Sequence, residues 1–244
     1  MFFFDLRTTI LDTDPHDGES PEESRKINSM TFQAIHHALA AYAGTLPHNK
    51  PALASYGTKH ERGLTSDVGI SLPYSGDGHV GNVIRLHGSH GALNAVLSVL
   101  RQRIDGAMVP TTERTLEGVK IIPTPLSKFV TITSPKQAPD TVTFVHVSRV
   151  RIKGNSAVRR MEKRYQAKGE KMVHPPGAGR DVADRNRFPM FFVKSDRAEI
   201  QGSRPFPIMV KQEFVGRTAP ERYNRSDFST YGLALERDAV IPHF

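Results

Sequence analysis

The 244-residue chain contains no cysteine. Disulfides and thiolate metal sites are therefore excluded, and nothing in the composition asks for an oxidising compartment, so a cytoplasmic protein is expected. A long apolar run is missing as well. Met1 to Phe4 is apolar, but Asp5 and Arg7 interrupt it at once. That is too short and too charged for a signal peptide or a membrane span, and it fits a buried first strand. No HExxH motif occurs, and the adjacent pair His36 and His37 cannot jointly ligate one ion from a helix. Neither a metal nor a cofactor is expected. There is no repeat at a fixed period and no long low-complexity tract.

With 38% hydrophobic and 24% charged residues, the composition is ordinary for a globular chain, and its length suffices for one good core or two small ones. The charge is distributed unusually. Between Ser148 and Lys171 nine Lys or Arg face two Glu, a local 9 − 2 = +7 in a chain whose net charge is +8. Charge gathered on one short segment is the footprint of a polyanion gripped at a defined place. Asn155 or Ser156 can cap a helix running to about Lys168, with Gly169 beyond it. On it, Arg160, Arg164 and Lys168 fall on one face and Arg159 and Lys163 on the adjoining strip, while Arg149, Arg151 and Lys153 lead in. The single Glu162 cannot balance these cations. Val158, Met161 and Tyr165 form only a narrow apolar stripe, which argues against a membrane surface and for nucleic acid. The major groove of A-form RNA opens to side chains only near ends, loops and bulges, so one arginine helix on a small domain suits a short RNA hairpin. A two-fold DNA reader would need a dimer.

Phe2 to Leu11 is aromatic and β-branched enough for a strand, and acid-rich Asp12 to Ser24 reads as a loop. Asn28 or Ser29 can cap a helix with apolar positions Phe32, Ile35, Leu39 and Tyr42, stopped by Gly44. Pro47 to Ser66 has no clear period and reads as extended loop. Asp67 to Pro73 and Asn82 to His87 form a strand pair around a glycine-rich turn. Ser89 caps a second helix with the stripe Leu93, Val96, Leu97, Leu100 and Ile104, closed by Gly106. With β-rich sequence at Val119 to Ser134, the order matches a ferredoxin-like βαββαβ unit over residues 1–138, within an α+β class. Residues 139–244 then form a second, β-rich region: a strand at Thr141 to Arg151, the basic helix, a Pro/Gly-rich loop, and strands near Met190 to Lys194 and Phe206 to Phe214.

The two adjacent histidines point about 100° apart on a helix. His36 falls at the edge of the apolar stripe, where packing can hold it facing a cleft, and His37 is expected in solvent. A neutral imidazole is the usual acid or base for moving a proton from a ribose hydroxyl. Gly76, Gly78 and Gly81 form GxGxxG, but between two strands, where no helix N-terminus can receive a phosphate; they read as a hairpin turn.

Several strings together resemble one family. "SRVRIK" before an arginine-rich helix, "FQAIHHAL" in the first helix, "YGL" ahead of "IPHF", "FFFDLR" at the start and "IRLHGS" before the second helix are similar to the CRISPR repeat-RNA processing endoribonucleases of the type I-F branch and their type IV counterparts. The resemblance implies a ferredoxin-like domain joined to a region whose arginine-rich helix enters the major groove of a crRNA repeat hairpin, and cleavage at the base of the stem without metal. It implies that His36 is the catalytic histidine, that Ser195 in "MFFVKS" positions the attacking ribose, and that Tyr231 in "TYGL" belongs to the same site. Phe206 in "RPFPIMV" would stack on the last base pair, and Arg149 would read a base near the cut. Sequence around Asp12 to Ser24 and Lys50 to Ser66, and an insertion between Ser195 and Phe206, depart from the pattern, so an arginine could share the catalytic role.

The implied reaction is attack of a ribose 2′-OH on its own 3′ phosphate, leaving a 2′,3′-cyclic phosphate and a 5′-hydroxyl. The enzyme would then stay on its product as a subunit of the effector complex, beside that complex's other subunits, monomeric apart from it and with no membrane partner. The alternative is a non-catalytic RNA hairpin-binding subunit of a ribonucleoprotein, which would not need His36, Ser195 and Tyr231 close together.

Overall fold

The computed structural model describes residues 1–9, 21–50, 64–76, 79–115, 118–139, 143–150, 188–194, 205–216, 228–235 and 239–244. Its elements run β1 (Phe2–Thr8), α1 (Pro21–Thr45), β2 (Thr65–Ser66), β3 (Gly69–Ser71), β4 (Val83–Gly88), α2 (His90–Asp105), β5 (Met108–Thr115), β6 (Gly118–Pro125), β7 (Val130–Ile132), β8 (Lys136–Gln137), β9 (Thr143–Val150), β10 (Met190–Val193), β11 (Phe206–Gly216), β12 (Phe228–Ser229) and β13 (Ile241–His243). This is an α+β architecture of antiparallel pairs. Among the described residues no helix is long and apolar enough to cross a membrane.

The apolar start of the chain is the centre of a sheet. β1 pairs with β4 from Phe2↔Gly88 to Arg7↔Val83 and with β7 from Leu6↔Ile132 to Thr8↔Val130, giving the order β3-β4-β1-β7, with β8 also on β1. A strand covered on both faces must be apolar on both, and Phe4 and Leu6 are fully buried. Asp5, only 3% exposed, is the exception, and its register partner answers it. Arg85, 7% exposed, gives the Asp5 carboxylate a fork of two bonds, from Nε at 2.6 Å and from Nη2 at 3.1 Å. Its Nη1 donates to the main-chain oxygen of Phe244 at 2.7 Å, and the guanidinium lies over the rings of Phe3 and Phe244.

His87, two residues along the same face of β4, is fully buried with Nε2 2.9 Å from Ser71 Oγ. Burial first, then the charges of Arg85 and His243, hold its pKa well below that of an ordinary histidine. His243 is lowered in the same direction, by burial and then by Arg85. The folded state therefore prefers both rings neutral, and the unfolded state binds more protons once the pH falls below about 6.5. Stability should be full above that pH and decline as the pH drops toward the folded-state pKa values, with each histidine contributing at most roughly 1.4 kcal/mol per pH unit. Urea midpoints measured between pH 7.5 and 5 in wild type and in His87→Gln check this. The variant should show the shallower pH dependence.

α1 begins at Pro21, ahead of the expected caps, and continues through Gly44 to Thr45; the expected loop Asp12 to Ser24 thus ends in helix. Asn28 and Ser29 lie inside it and do other work. Asn28 Oδ1 accepts from Thr8 Oγ1 at 2.9 Å, its Nδ2 donates to Gly81 O at 3.2 Å, and Ser29 Oγ accepts from the Phe192 N–H at 3.0 Å. Short polar side chains favour caps because they reach nearby backbone groups; here that backbone belongs to other elements. The expected stripe is buried at Phe32, Ile35 and Leu39, while half-buried Tyr42 donates to Asp67 Oδ1 at 2.8 Å. α2 follows its sequence pattern: Ser89 Oγ accepts from the Ala92 N–H at 3.2 Å, and Leu93, Val96, Leu97, Leu100 and Ile104 are all buried. Val119 to Ser134 divides. Val130–Ile132 joins the central sheet as β7, whereas the earlier half pairs with β5 in a separate two-stranded hairpin.

A second sheet has the order β10-β11-β9-β13. β9 and β11 run antiparallel from Met209↔Val150 to Gly216↔Phe144, with an irregularity between Phe214 and Gly216. One hydrophobic cluster joins the two sheets, and α1 is the wall they share, its Phe32 ring stacked on Phe191 of β10 at 4.0 Å and 9°.

Candidate active site

His36 and Tyr231 come together. Their rings stack at 3.8 Å and 11°, and Tyr231 also lies 6.0 Å from Phe32, so Phe191, Phe32, Tyr231 and His36 form a continuous row of rings from β10 across α1 to the C-terminal segment. Each such contact adds about 0.5–1.5 kcal/mol beyond the burial itself. His36 is 7% exposed, and its Nδ1 lies 3.1 Å from the Thr230 carbonyl oxygen. A carbonyl only accepts, so Nδ1 carries the proton and the lone pair of the neutral ring is on Nε2. Packing on one side and a hydrogen bond on the other fix both tautomer and orientation.

The turn that presents Tyr231 depends on a glycine. The Gly232 N–H donates to Ser229 O at 2.7 Å, its carbonyl accepts from the Ile70 N–H at 2.9 Å, and Ser229 N–H donates to Leu233 O at 2.9 Å. Gly232 has φ +68, and a Cβ there would lie 2.6 Å from Ile70 Cγ2. A side chain would meet both an unfavourable backbone region and an occupied space. The "YGL" string is thus a structural requirement as well as a sequence signature. Just beyond it, the Ala234 N–H donates to Val147 O at 2.7 Å and pins the segment to β9.

β9 carries Arg149 beside that anchor point. Arg149 is opposite Val210 of β11, and its guanidinium carbon lies 6.0 Å from the Phe206 ring centroid, at the limit of a cation–π contact. Phe206 in turn pairs with Val193 of β10. The residue after Val193, Lys194, donates its N–H to Gln33 Oε1 at 3.4 Å, which draws the end of β10 to α1 less than one turn before His36. Ser195 follows immediately and lies outside the described residues, as do Arg151, Lys153, Arg159, Arg160, Lys163, Arg164 and Lys168.

The expectation for His37 is corrected. It is half-buried and lines a groove of about 960 Å³ between α1, the end of α2, the start of β5 and β10. α1 packs on more than one side, so the face opposite its apolar stripe is not open solvent. The groove's cations, Arg25, Lys26, Arg103 and Lys194, come from separate segments, and a search for local charge runs misses them for that reason. The Asp5–Arg85 pair is likewise invisible to such a search, its sequence signal being an acid in β1 and a base in β4, each set among apolar residues. The GxGxxG segment does lie between two paired strands, with Gly76 bridged to His79 and Gly81 at φ +77.

Comparison with the curated proteins finds no match. A family model does match, that described as CRISPR-associated protein (Cas_Csy4), over residues 109–244, more than half of the chain and the part that holds Arg149, Phe206 and Tyr231. The chain belongs to this family of CRISPR-associated proteins that process repeat RNA.

Proposed function

We propose that the protein is a metal-independent endoribonuclease that binds the CRISPR repeat hairpin and cuts precursor crRNA at the base of the stem. The observation that carries this reading is the His36–Tyr231 stack with Nδ1 committed to the Thr230 carbonyl, an oriented imidazole whose basic nitrogen is Nε2, in a chain of a repeat-RNA processing family. A hairpin-binding subunit without catalysis has no need to fix one histidine tautomer against a tyrosine.

In this reading Nε2 of His36 takes the proton of the ribose 2′-OH at the cut, or gives one to the departing 5′ oxygen. The 2′ oxygen forms a bond to phosphorus as the phosphorus–5′ oxygen bond breaks, leaving a 2′,3′-cyclic phosphate and a 5′-hydroxyl. Tyr231 and Ser195 hold the nucleotide in line, and orientation is a large part of what such a site supplies. Phe206 stacks on the last base pair, with Arg149 reading a base beside it. Arg151, Lys153, Arg159, Arg160, Lys163, Arg164 and Lys168 grip the hairpin from an arginine-rich helix. Phosphate contacts of this kind make affinity fall steeply with salt.

The same reading makes the first sheet, its helices and its strand order a ferredoxin-like unit over residues 1–138, with 139–244 as the hairpin-binding region. It is supported by the order strand, helix, strand, strand, helix, strand with β1 between β4 and β7. The enzyme keeps its cut RNA and enters the effector complex in the cytoplasm. Incubation with a repeat hairpin in EDTA, followed by analysis of the ends, tests the reaction. A cyclic phosphate and a 5′-hydroxyl are expected; an intact RNA, or a 5′-phosphate product, would reject it.

A further inference from the structure

We propose that the groove beside α1 holds the single-stranded RNA that leaves the base of the hairpin. This rests on the hairpin-cleaving reading. The groove carries Arg25 and Lys26 from α1, Arg103 from α2 and Lys194 just after β10, and no Asp or Glu is among the described residues that line it. Cations converging from three segments, with no carboxylate among the described lining residues, make a local positive potential suited to a phosphate chain.

Apolar surface is interleaved with the charge. Phe192 is 41% exposed and Met108 53% exposed in the same groove. An exposed aromatic ring beside a track of cations is how single strands are held, bases stacked and phosphates paired, with little dependence on sequence. The volume of about 960 Å³ lies near the top of the range of small-ligand pockets, about 300–1,000 Å³, which leaves room for a short run of unstacked nucleotides rather than a duplex.

Position supplies the link to the cut. His37, on the groove wall, is the neighbour of His36 on α1. Lys194 directly precedes Ser195, and Pro205, also on the wall, directly precedes Phe206. A strand departing from a stem stacked on Phe206 would therefore meet Lys194, His37 and Phe192. The groove would extend the footprint of the enzyme past the repeat stem and hold the strand in line at the cut.

Three labelled RNAs test this, each with a 2′-deoxy nucleotide before the cut: the hairpin alone, the hairpin with a 5′ single-stranded extension, and the hairpin with a 3′ extension. One extension should tighten binding about tenfold and steepen the salt dependence; which one responds identifies the strand in the groove. Arg25→Ser with Arg103→Ser, both exposed positions, should return the extended RNA to the affinity of the hairpin alone and leave the hairpin unchanged. Tight hairpin binding with no gain from either extension would overturn the groove proposal while sparing the hairpin reading. A gain that survives in the double variant would place the strand elsewhere and overturn it too. A hairpin that does not bind at all would overturn both.

Discussion

His36→Ala should slow cleavage of a repeat hairpin by roughly 10² to 10⁴, the usual contribution of a positioned acid or base, with hairpin affinity little changed. The loss is specific because the ring is fixed twice, by the stack on Tyr231 and by the bond from Nδ1 to the Thr230 carbonyl. Removing the ring leaves the Thr230 carbonyl and one face of Tyr231 without that partner, so some local loosening accompanies the chemical loss. The rate should be measured in single turnover with protein in excess, since a retained product would hide the chemical step in a steady-state assay. His37→Ala is the control. It lines the groove rather than the Tyr231 stack, and it should cut the hairpin alone within a few-fold of wild type. If both variants cut normally, His36 is a packing residue and arginines carry the chemistry, or the protein only binds.

Arg85→Met should cost about 3–5 kcal/mol of stability, because it removes the buried partner of the Asp5 carboxylate and leaves that carboxylate facing the largely exposed Arg7, 3.6 Å away. A cost of that size consumes much of the roughly 5–15 kcal/mol that holds a typical domain together. Methionine can still lie between Phe3 and Phe244, so the loss reports on charge rather than on packing. The double variant Asp5→Leu with Arg85→Met should recover most of it, since a buried pair exchanged for apolar groups of similar volume is often neutral. Urea unfolding of wild type, single and double variants checks both statements. Equal losses in single and double variants would mean that Arg85 acts mainly through Phe244 and not through Asp5.

α2 could be read residue by residue, because its cap and its five apolar positions obey one period and nothing nearby competes for them. β9, β10 and β11 were legible for a similar reason, as short runs that alternate or are continuously apolar. The start of α1 was not. Asn28 and Ser29 have the chemistry of caps, and only the tertiary arrangement brings Gly81 and Phe192 within their reach. The hairpin of β5 and β6 took half of a segment assigned to the central sheet, because strand propensity does not specify which partner a strand will find. At the site, the string around His36 and the "YGL" string could each be quoted from sequence, but not the 3.8 Å stack that joins them across 195 positions, 231 − 36. The groove was hidden altogether, its cations being scattered over residues 25 to 194.

Attack by the ribose 2′-OH is the claim on which the proposed chemistry turns, and one substitution in the RNA tests it. A repeat hairpin carrying a single 2′-deoxy nucleotide before the cut should bind like its ribose parent and stay intact for as long as the parent takes to be cut completely. Cleavage of the deoxy hairpin at a comparable rate would contradict that chemistry, because the nucleophile would then be a water activated by other means.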